Sequence, residues 1–307
     1  MMFLKLSRSS KIKRILVVSL SNIGDVVLTL PVVDILRAAF PAAELQLIVG
    51  PKAKSLFDEN PHLSRVIGYD KKMSWRAKLA WFLDLRRQRF DLVVDLRNSM
   101  LPFLLNAGTV TLPIGVPPKV HMKAKHLARL ALVFDDLKIP AERRAVSFSV
   151  DQHARVAQIV HGWNDYVVVA PGAADQRKRW GEEGFLCVVR HLRSKGKNVI
   201  LVGDQNDKHA GTHIAAAFSE GVLDLCGQTN LVELAGVMAR ATFAVTNDSG
   251  IMHLASYFDR PVIALFGRTD PFFYGPWSSR AIILRKGVLM TDINPKDVIA
   301  EVDKFLC

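Results

Sequence analysis

Cysteine is scarce in this chain, with three among 307 residues: Cys187, Cys226 and Cys307. They form neither a paired framework nor a metal-ligand spacing, which excludes a disulfide scaffold and a thiolate zinc site and points to a reducing compartment. Cys187 and Cys226 stand among apolar residues and read as small core side chains. Long apolar runs are missing as well, and none approaches the ~20 residues that span a bilayer. The run at 15–20 follows basic residues but is short, leads into Asn22 and Asp25 and lacks a small-residue cleavage pattern, so it does not read as a signal peptide. A cytoplasmic protein is expected. Acidic residues are outnumbered, 29 against 41 basic, for a net charge of +12. Such a surface suits nucleic acid, an anionic membrane face, or a phosphorylated or carboxylated substrate. Zinc-finger spacings, RNP-like aromatic motifs and basic heptads are absent, so no nucleic-acid partner is expected. The glycine fingerprint Gly-x-Gly-x-x-Gly is absent from the loop after the first strand and from the loop at Gly172-Ala173, which argues against a nicotinamide-dependent dehydrogenase. No Asp-x-Asp pair stands in a loop suited to a metal-held diphosphate, and no metal is expected.

Half of the residues are hydrophobic, enough for two cores of ordinary domain size. Short apolar runs alternate with helical periods, the pattern of parallel βαβ layers. Strands are predicted at 15–19, 45–49, 66–67, 92–95 and 110–114, with helices near 32–39, 53–59, 75–89 and 124–137. Pro31 fits an early helix position or a kink. The scheme restarts with strands at 166–170, 199–202, 242–245 and 262–266 and helices near 182–195, 208–218, 231–240 and 251–258. Between the two sets, 141–151 carries no helical period and reads as a linker, giving domains at 1–148 and 149–307. Both halves open alike, ILVVSL then SNIGD and YVVVAP then GAADQ. The expected fold is α/β: two Rossmann-like domains with parallel sheets facing across a central cleft. The last segment, 295–305, looks helical and is expected to pack back on the first domain. Ligands in such sheets bind beyond the carboxyl ends of the strands, and those ends carry Asp25, Lys178 and Asp248.

The most informative stretch is 246–277, TNDSGIMHLASYFDRPVIALFGRTDPFFYGPW. A buried strand ends at Val245, breaks into Asn247-Asp248-Ser249-Gly250 and restarts as a helix. A loop of this kind offers free backbone N–H groups and a positive dipole end to an anion. Asp248 or Ser249 can cap the helix, Gly250 admits close approach, and His253 lies about one turn in. An ordinary capped helix fits the local pattern equally well.

Three segments in order carry a wider likeness: ILVVSLSNIGDVVLTLPVVDILRAAFP, VVVAPGAADQRKRW and DSGIMHLASYFDRPVIALFGRTDP. Together they resemble glycosyltransferase family 9, the bacterial heptosyltransferases, over nearly the whole chain from about Ile15 to Trp277. The resemblance implies the GT-B fold and transfer of a heptose or related sugar from an ADP-sugar, with no cofactor beyond that donor. The implied acceptor is an anionic glycolipid, the lipopolysaccharide core, with peripheral contact at the inner membrane face. The donor contacts it implies are Lys178, Asp248, Ser249, Gly250 and His253. Gly203-Asp204-Gln205 stands where the family often has Gly-rich or acidic residues, so Asp204 and Gln205 are candidate ribose or base partners. Residues 226–229, Thr229 among them, either wall the base pocket or are strand-end packing. Gly181 replaces the proline that usually follows the family's Lys-x-Trp loop, which is expected to loosen that loop.

On the acceptor side, Asp25 ends the loop after the first strand, where helix capping is the simplest reading. The resemblance makes the Gly24-Asp25 pair carry the general base. A positioned carboxylate contributes ~10²–10⁴-fold by withdrawing the acceptor's proton. Diphosphate leaves well without a general acid, which implies direct displacement with inversion. Ser21 and Asn22 either bind sugar hydroxyls or tighten the loop. Arg97, with Lys123, Lys125 and Arg129, is a candidate for carboxylates and phosphates of the acceptor, although a solvated basic face explains the lysines as well. Two other readings stand beside this one: a non-enzymatic or regulatory protein that binds a nucleotide-sugar on the same fold, and the same chemistry with a different sugar donor.

Overall fold

The computed structural model describes residues 6–7, 10–111 and 119–306. Residues 112–114 of the predicted strand at 110–114, and Cys307, lie outside the described residues. The chain divides into two compact units, Met1–Ser149 and Val150–Cys307.

The first unit runs β1 (Arg14–Val18), α1 (Ile23–Ala39), β2 (Glu44–Val49), α2 (Pro51–Lys54), β3 (Arg65–Gly68), α3 (Trp75–Arg87), β4 (Leu92–Asp95), α4 (Leu101–Leu104), β5 (Thr109–Val110) and α5 (Met122–Leu130). Its parallel sheet has the order β3-β2-β1-β4-β5. Ile15, Leu16 and Val17 are fully buried in succession, as expected of a strand covered on both faces. The order reverses between β1 and β4, so the loops leaving those two strands flank the crevice where such sheets bind ligands.

Two helices differ from expectation. The first begins at Ile23 and runs through Pro31. Proline has no N–H for the carbonyl four residues back, but every residue from Val26 to Arg37 is buried, and packing all round outweighs the ~3 kcal/mol that proline costs. The predicted helix at 124–137 stops at Leu130. Beyond it the chain turns, with Val133 and Phe134 N–H both donating to the Leu130 carbonyl, and Phe134 makes an isolated parallel bridge with Leu6, whose N–H donates to the Val133 carbonyl at 2.8 Å. Part of the predicted linker is pinned instead of free. The buried Asp34 carboxylate accepts from Arg144 and Ala145 N–H at 2.7 and 2.8 Å, and Asn60 Nδ2 donates to both of their carbonyls.

The second unit runs α6 (Val150–Ile159), β6 (Tyr166–Ala170), α7 (Glu182–Ser194), β7 (Asn198–Leu201), α8 (Lys208–Ala215), β8 (Val222–Asp224), α9 (Leu231–Arg240), β9 (Phe243–Asn247), α10 (Gly250–Tyr257), β10 (Val262–Leu265), α11 (Pro271–Tyr274), β11 (Ala281–Leu284) and α12 (Pro295–Leu306). The sheet is parallel, in the order β11-β10-β9-β6-β7-β8. Its edge strands β8 and β11 were not anticipated; both are short and only partly buried. The reversal falls between β6 and β9. The last helix, expected on the first domain, lays Val298 and Val302 into the core of the second unit with Val167, Leu201, Val245 and Ile263.

Candidate functional site

The second unit gathers its chemistry at the β6/β9 reversal. After β6 the chain passes Pro171, Gly172 and Ala173 into a 3-10 turn, Gln176–Lys178, which Asp175 caps by accepting Arg177 N–H. Lys178 Nζ lies 2.7 Å from Asp248 Oδ2 in the loop after β9. The carboxylate is 5% exposed and the lysine 33%, so a buried anion is matched by a cation that still reaches solvent. Ser249 is the N-cap residue of α10 but makes no side-chain cap bond, and its buried Oγ has no hydrogen-bond partner. With Asp248 engaged by Lys178, the expected capping role falls to neither side chain, and the first N–H groups of α10 remain available. Gly250 opens that helix. His253, 5% exposed one turn in, stacks on Trp277 with ring centroids 5.6 Å apart.

Asn247, which the sequence reading passed over, ties the two loops together. Its Nδ2 donates to the Pro171 carbonyl at 2.8 Å and its Oδ1 accepts from Trp180 N–H at 3.1 Å. Trp180 Nε1 in turn donates to the Ile293 carbonyl at 3.0 Å. The loop that carries Lys178 is therefore held at both ends. Gly181 adopts φ −60° and ψ 142°, a conformation open to any residue, proline included. The only hint of Asn247 in the sequence is a polar residue closing a buried strand.

Arg179 diverges from its neighbour. Its Nε donates to the Ala173 carbonyl and its Nη2 stands 2.8 Å from Asp207 Oδ1. Asp207 is 5% exposed, and burial pushes its carboxyl pKa up against the opposing pull of Arg179. A Cβ at Gly172 would sit 2.1 Å from this carboxylate, so only glycine lets the β6 loop close over it. Asp204, expected as a ribose or base partner, uses its carboxylate to accept Asn206 N–H at 2.7 Å and cap the turn Gln205–Asp207. Gln205 lies within that turn, its Oε1 against Gly227, where a Cβ would be 2.5 Å away. Thr229 keeps a buried Oγ1 without a hydrogen-bond partner. Cys226 is a core residue whose thiol pKa is pushed up, first by burial and then by Asp224. These four candidates thus follow β7 and β8, beyond Lys178 and Asp248 along the same carboxyl edge.

A groove of about 270 Å³ opens beside Lys178, lined by Asp175, Arg177, Lys178, Arg268 and Thr269. Asp175 clamps Arg177 through Nε at 2.9 Å and Nη2 at 2.7 Å, which holds its own carboxyl pKa down at about 2. Arg268, exposed on the loop after β10, has no acidic partner among the described residues. Neither arginine was anticipated as part of the site.

The first unit gathers its candidates at the β1/β4 reversal. Ser19 Oγ and Thr29 Oγ1, 2.7 Å apart, bind the end of β1 to α1. Gly50 N–H donates to the Leu20 carbonyl, and a Cβ at Gly50 would sit 2.5 Å from the Ser21 carbonyl oxygen. Ser21 is thus packed through its backbone against the exit of β2. Asn22, not Asp25, is the N-cap residue of α1. It makes no side-chain cap bond and instead donates Nδ2 to Asp25 Oδ2 at 3.0 Å. Asp25 and Gly24 lie half-buried in the first turn. That position gives the carboxylate the positive end of a 17-residue helix.

At the end of β4, Asp95 accepts from Arg97 N–H at 2.8 Å and from Ser99 N–H at 2.6 Å. The Arg97 guanidinium lies 5.4 Å over the Tyr69 ring, which abuts Trp81. Arg129 reaches the same strand end from within, its Nη1 donating to the Asp95 carbonyl at 3.5 Å. It is 3% exposed, and burial lowers its pKa. Lys123 is also lowered by burial, and Lys125 is half-buried. Among the described residues, no three His, Cys, Asp or Glu side chains are grouped to hold a metal ion.

Comparison with known proteins identifies the family and the fold. A family model described as glycosyltransferase family 9 (heptosyltransferase) matches residues 113–295. Lipopolysaccharide heptosyltransferase 3 of Escherichia coli is 27% identical, covering 92% of this chain and 96% of its own. Lipopolysaccharide heptosyltransferase 2 of Escherichia coli strain K12 is 24% identical over 95% and 98%. Among solved structures, a family 9 glycosyltransferase from Veillonella parvula superposes with a TM-score of 0.83 at 23% identity, over 96% of this chain and 97% of that one. The E. coli heptosyltransferase WaaC with ADP gives 0.78 at 20% identity, over 95% and 99%. With these likenesses, the two parallel sheets are those of the GT-B fold.

Proposed function

The chain belongs to glycosyltransferase family 9, and from that premise we propose that it moves a heptose from an ADP-sugar to an anionic lipopolysaccharide core acceptor, with inversion and without a metal. The observation that carries the donor half is the Lys178–Asp248 pair across the β6/β9 reversal, beside the α10 N-terminus. A diphosphate bound there meets backbone N–H donors from α10 and positive charge from Lys178, with Arg177 and Arg268 lining the adjoining groove. Once Lys178 turns to phosphate, Asp248 is free to accept from a sugar hydroxyl. Ser249 Oγ and Thr229 Oγ1, both buried and without a hydrogen-bond partner, supply further polar contacts for the donor.

The first unit takes the acceptor. Asp25 withdraws the proton from the acceptor hydroxyl as that oxygen attacks the anomeric carbon, and ADP leaves with the bonding electrons. Asn22 orients the carboxylate through its 3.0 Å hydrogen bond. Arg97, steadied on Tyr69, pairs with a carboxylate or phosphate of the core, and the enzyme works at the inner membrane face in peripheral contact with it.

The test is single-turnover transfer from ADP-heptose to a lipopolysaccharide core fragment in excess chelator, with ADP affinity measured in parallel. Transfer under chelation supports the reading. Transfer only with added magnesium or manganese overturns the metal-free mechanism. ADP binding with no transfer to any core fragment makes the chain a non-enzymatic binding protein.

A further inference from the structure

The outward face of α3 has no role in the reaction described above, and its composition is unusual for a solvated helix. Ser74 caps the helix by accepting Ala77 N–H. The inward face is set by Leu85, fully buried, with Trp81 and Phe82 packed on the cluster of Leu16, Val18 and Val93. On the other side, Trp75, Leu79 and Leu83 recur every four residues and are 69%, 48% and 40% exposed. Residues at this spacing lie one above the other on a helix. The face is therefore an apolar stripe turned to solvent.

Charge surrounds that stripe. From 70 to 89 the chain has seven basic and two acidic residues. Of the acids, Asp84 is engaged by Arg65 at 2.7 Å. Arg76 lies over the Trp75 ring at 5.4 Å, and Arg86, seven residues after Leu79, falls on the stripe itself. A second apolar group stands on the same core cluster: Met100, Phe103 and Leu104 are 68%, 48% and 51% exposed around α4, whose Leu101 packs inward with Trp81 and Phe82. In a parallel sheet the crossover helix returns against the strand direction, so Trp75 begins α3 at the carboxyl edge of the sheet. The segment after β4 leaves from that edge as well, and so do the loops bearing Asp25 and Arg97.

We propose that the outward face of α3, Trp75-Leu79-Leu83 with Arg76, Arg86 and Arg87, together with the exposed apolar residues of α4, docks this protein on an anionic lipid surface. An amphipathic helix with Trp and Leu on one face and Arg beside them lies in the plane of a bilayer interface. The rings and aliphatic chains enter the headgroup boundary, and the arginines extend to lipid phosphates. α3 is 13 residues long, about 20 Å, enough for the whole stripe to lie along the interface. A second copy of the chain suits the face less well, because a two-fold contact would set the same arginines against one another. The inference gives a named surface to the peripheral contact proposed above, and to that extent it rests on that reading.

The experiment is co-sedimentation of the full chain with vesicles of phosphatidylethanolamine and phosphatidylglycerol, compared with phosphatidylcholine alone, at low and high salt. The parent chain is expected to bind the anionic vesicles, to lose binding as salt rises, and to ignore the neutral ones. Arg76→Gln with Arg86→Gln should lower partitioning by about 25-fold, fivefold for each cation removed. Leu79→Ser with Leu83→Ser should lower it by about tenfold or more. Both pairs are surface changes, and unchanged melting temperatures will show that the variants fold. Equal partitioning of parent and variants, equal binding to neutral vesicles, or no binding by the parent overturns the proposal. A dimer seen by light scattering that Leu79→Ser with Leu83→Ser dissolves, without vesicle binding, assigns the face to a second copy and overturns it too. Transfer to a soluble core fragment is read separately. Failure of vesicle binding with transfer intact sinks only the docking surface, and failure of transfer with vesicle binding intact sinks only the reaction.

Discussion

Lys178 Nζ stands 2.7 Å from Asp248 Oδ2, and the two residues come from loops on opposite sides of the strand-order reversal in the second sheet. The pair is lopsided: the carboxylate is buried and the ammonium a third exposed. An arriving phosphate competes with Asp248 for the same cation. A sugar hydroxyl can take the place the lysine leaves. On the proposed function, this exchange couples recognition of the diphosphate to recognition of the sugar.

Replacing Lys178 by alanine should therefore act twice. Affinity for ADP is expected to fall by ~1.5–3 kcal/mol, the range for a hydrogen bond to a charged group. The unliganded protein should also lose about 1–2 kcal/mol, because Asp248 is left buried without its cation; the partial exposure of Lys178 keeps the loss below that of a fully buried pair. Adding Asp248→Asn to Lys178→Ala should restore most of the stability and none of the ADP affinity. Calorimetric titration and urea unfolding of the four proteins in the cycle measure both effects, and additive stability losses would dissolve the pair.

Asp25→Asn is expected to lower single-turnover transfer by ~10²-fold or more, with ADP affinity unchanged and stability lowered by no more than the ~0.3–1 kcal/mol that a charge at a helix N-terminus contributes. The structure makes this substitution cleaner than a capping role would. Asn22 occupies the N-cap, and an amide oxygen at position 25 can still accept the bond from Asn22 Nδ2. Near-normal transfer by the variant would remove Asp25 from the mechanism.

Arg97→Ala should raise the acceptor KM and leave ADP binding alone. If charge recognises the core, acceptor affinity in the parent chain must also weaken as ionic strength rises, since salt screens charge and not apolar contact. A core fragment titrated at low and high salt against parent and variant checks both; the variant should show the shallower dependence. Equal losses for donor and acceptor would indicate a folding defect.

His126 should give the first unit a pH-dependent stability. It is 2% exposed in α5 with neither ring nitrogen hydrogen-bonded, and its pKa is depressed from 6.5 to about 3, first by burial and then by Arg129 and Lys125. The unfolded chain therefore binds a proton below pH 6.5 that the native protein refuses until about pH 3. Stability falls as pH falls through that window. Between neutral pH and about pH 5 the loss should reach about 2 kcal/mol, and His126→Phe should abolish that part of it. Urea unfolding at the two pH values decides the matter; parallel curves for parent and variant would refute it.

How much of this was legible beforehand differs by element. Long buried strands such as β1 and β6 announce themselves by uninterrupted apolar runs, because a parallel strand is covered on both faces. The edge strands announce themselves less: β8 offers only Val222 and Leu223 before Asp224, and the apolar run of β11, Ala281–Leu284, is four residues long and only partly buried. Helix α1 was truncated at Pro31 because local propensity penalises proline, whereas burial on all sides carries the helix through it. Lys178 and Asp248 could be singled out by their loops, but Asn247, Asp207 and Arg268 could not. Their importance lies in what they touch across the sheet, and a single sequence does not show that.

From the sequence alone came the alternation of strands and helices, the two-part organisation, the three family segments and the loops that bear Asp25, Lys178 and Asp248. These are properties of neighbouring residues, and periodicity and loop chemistry encode them locally. Tertiary structure alone decided that Lys178 pairs with Asp248 while Arg179 turns to Asp207, that Asn22 instead of Asp25 occupies the helix cap, that Arg129 is buried, and that Trp75, Leu79 and Leu83 face solvent. An amphipathic helix has two candidate faces, and a basic loop many candidate partners. Which face is covered and which charge is met depend on segments far away in the chain, brought close only when the sheet forms.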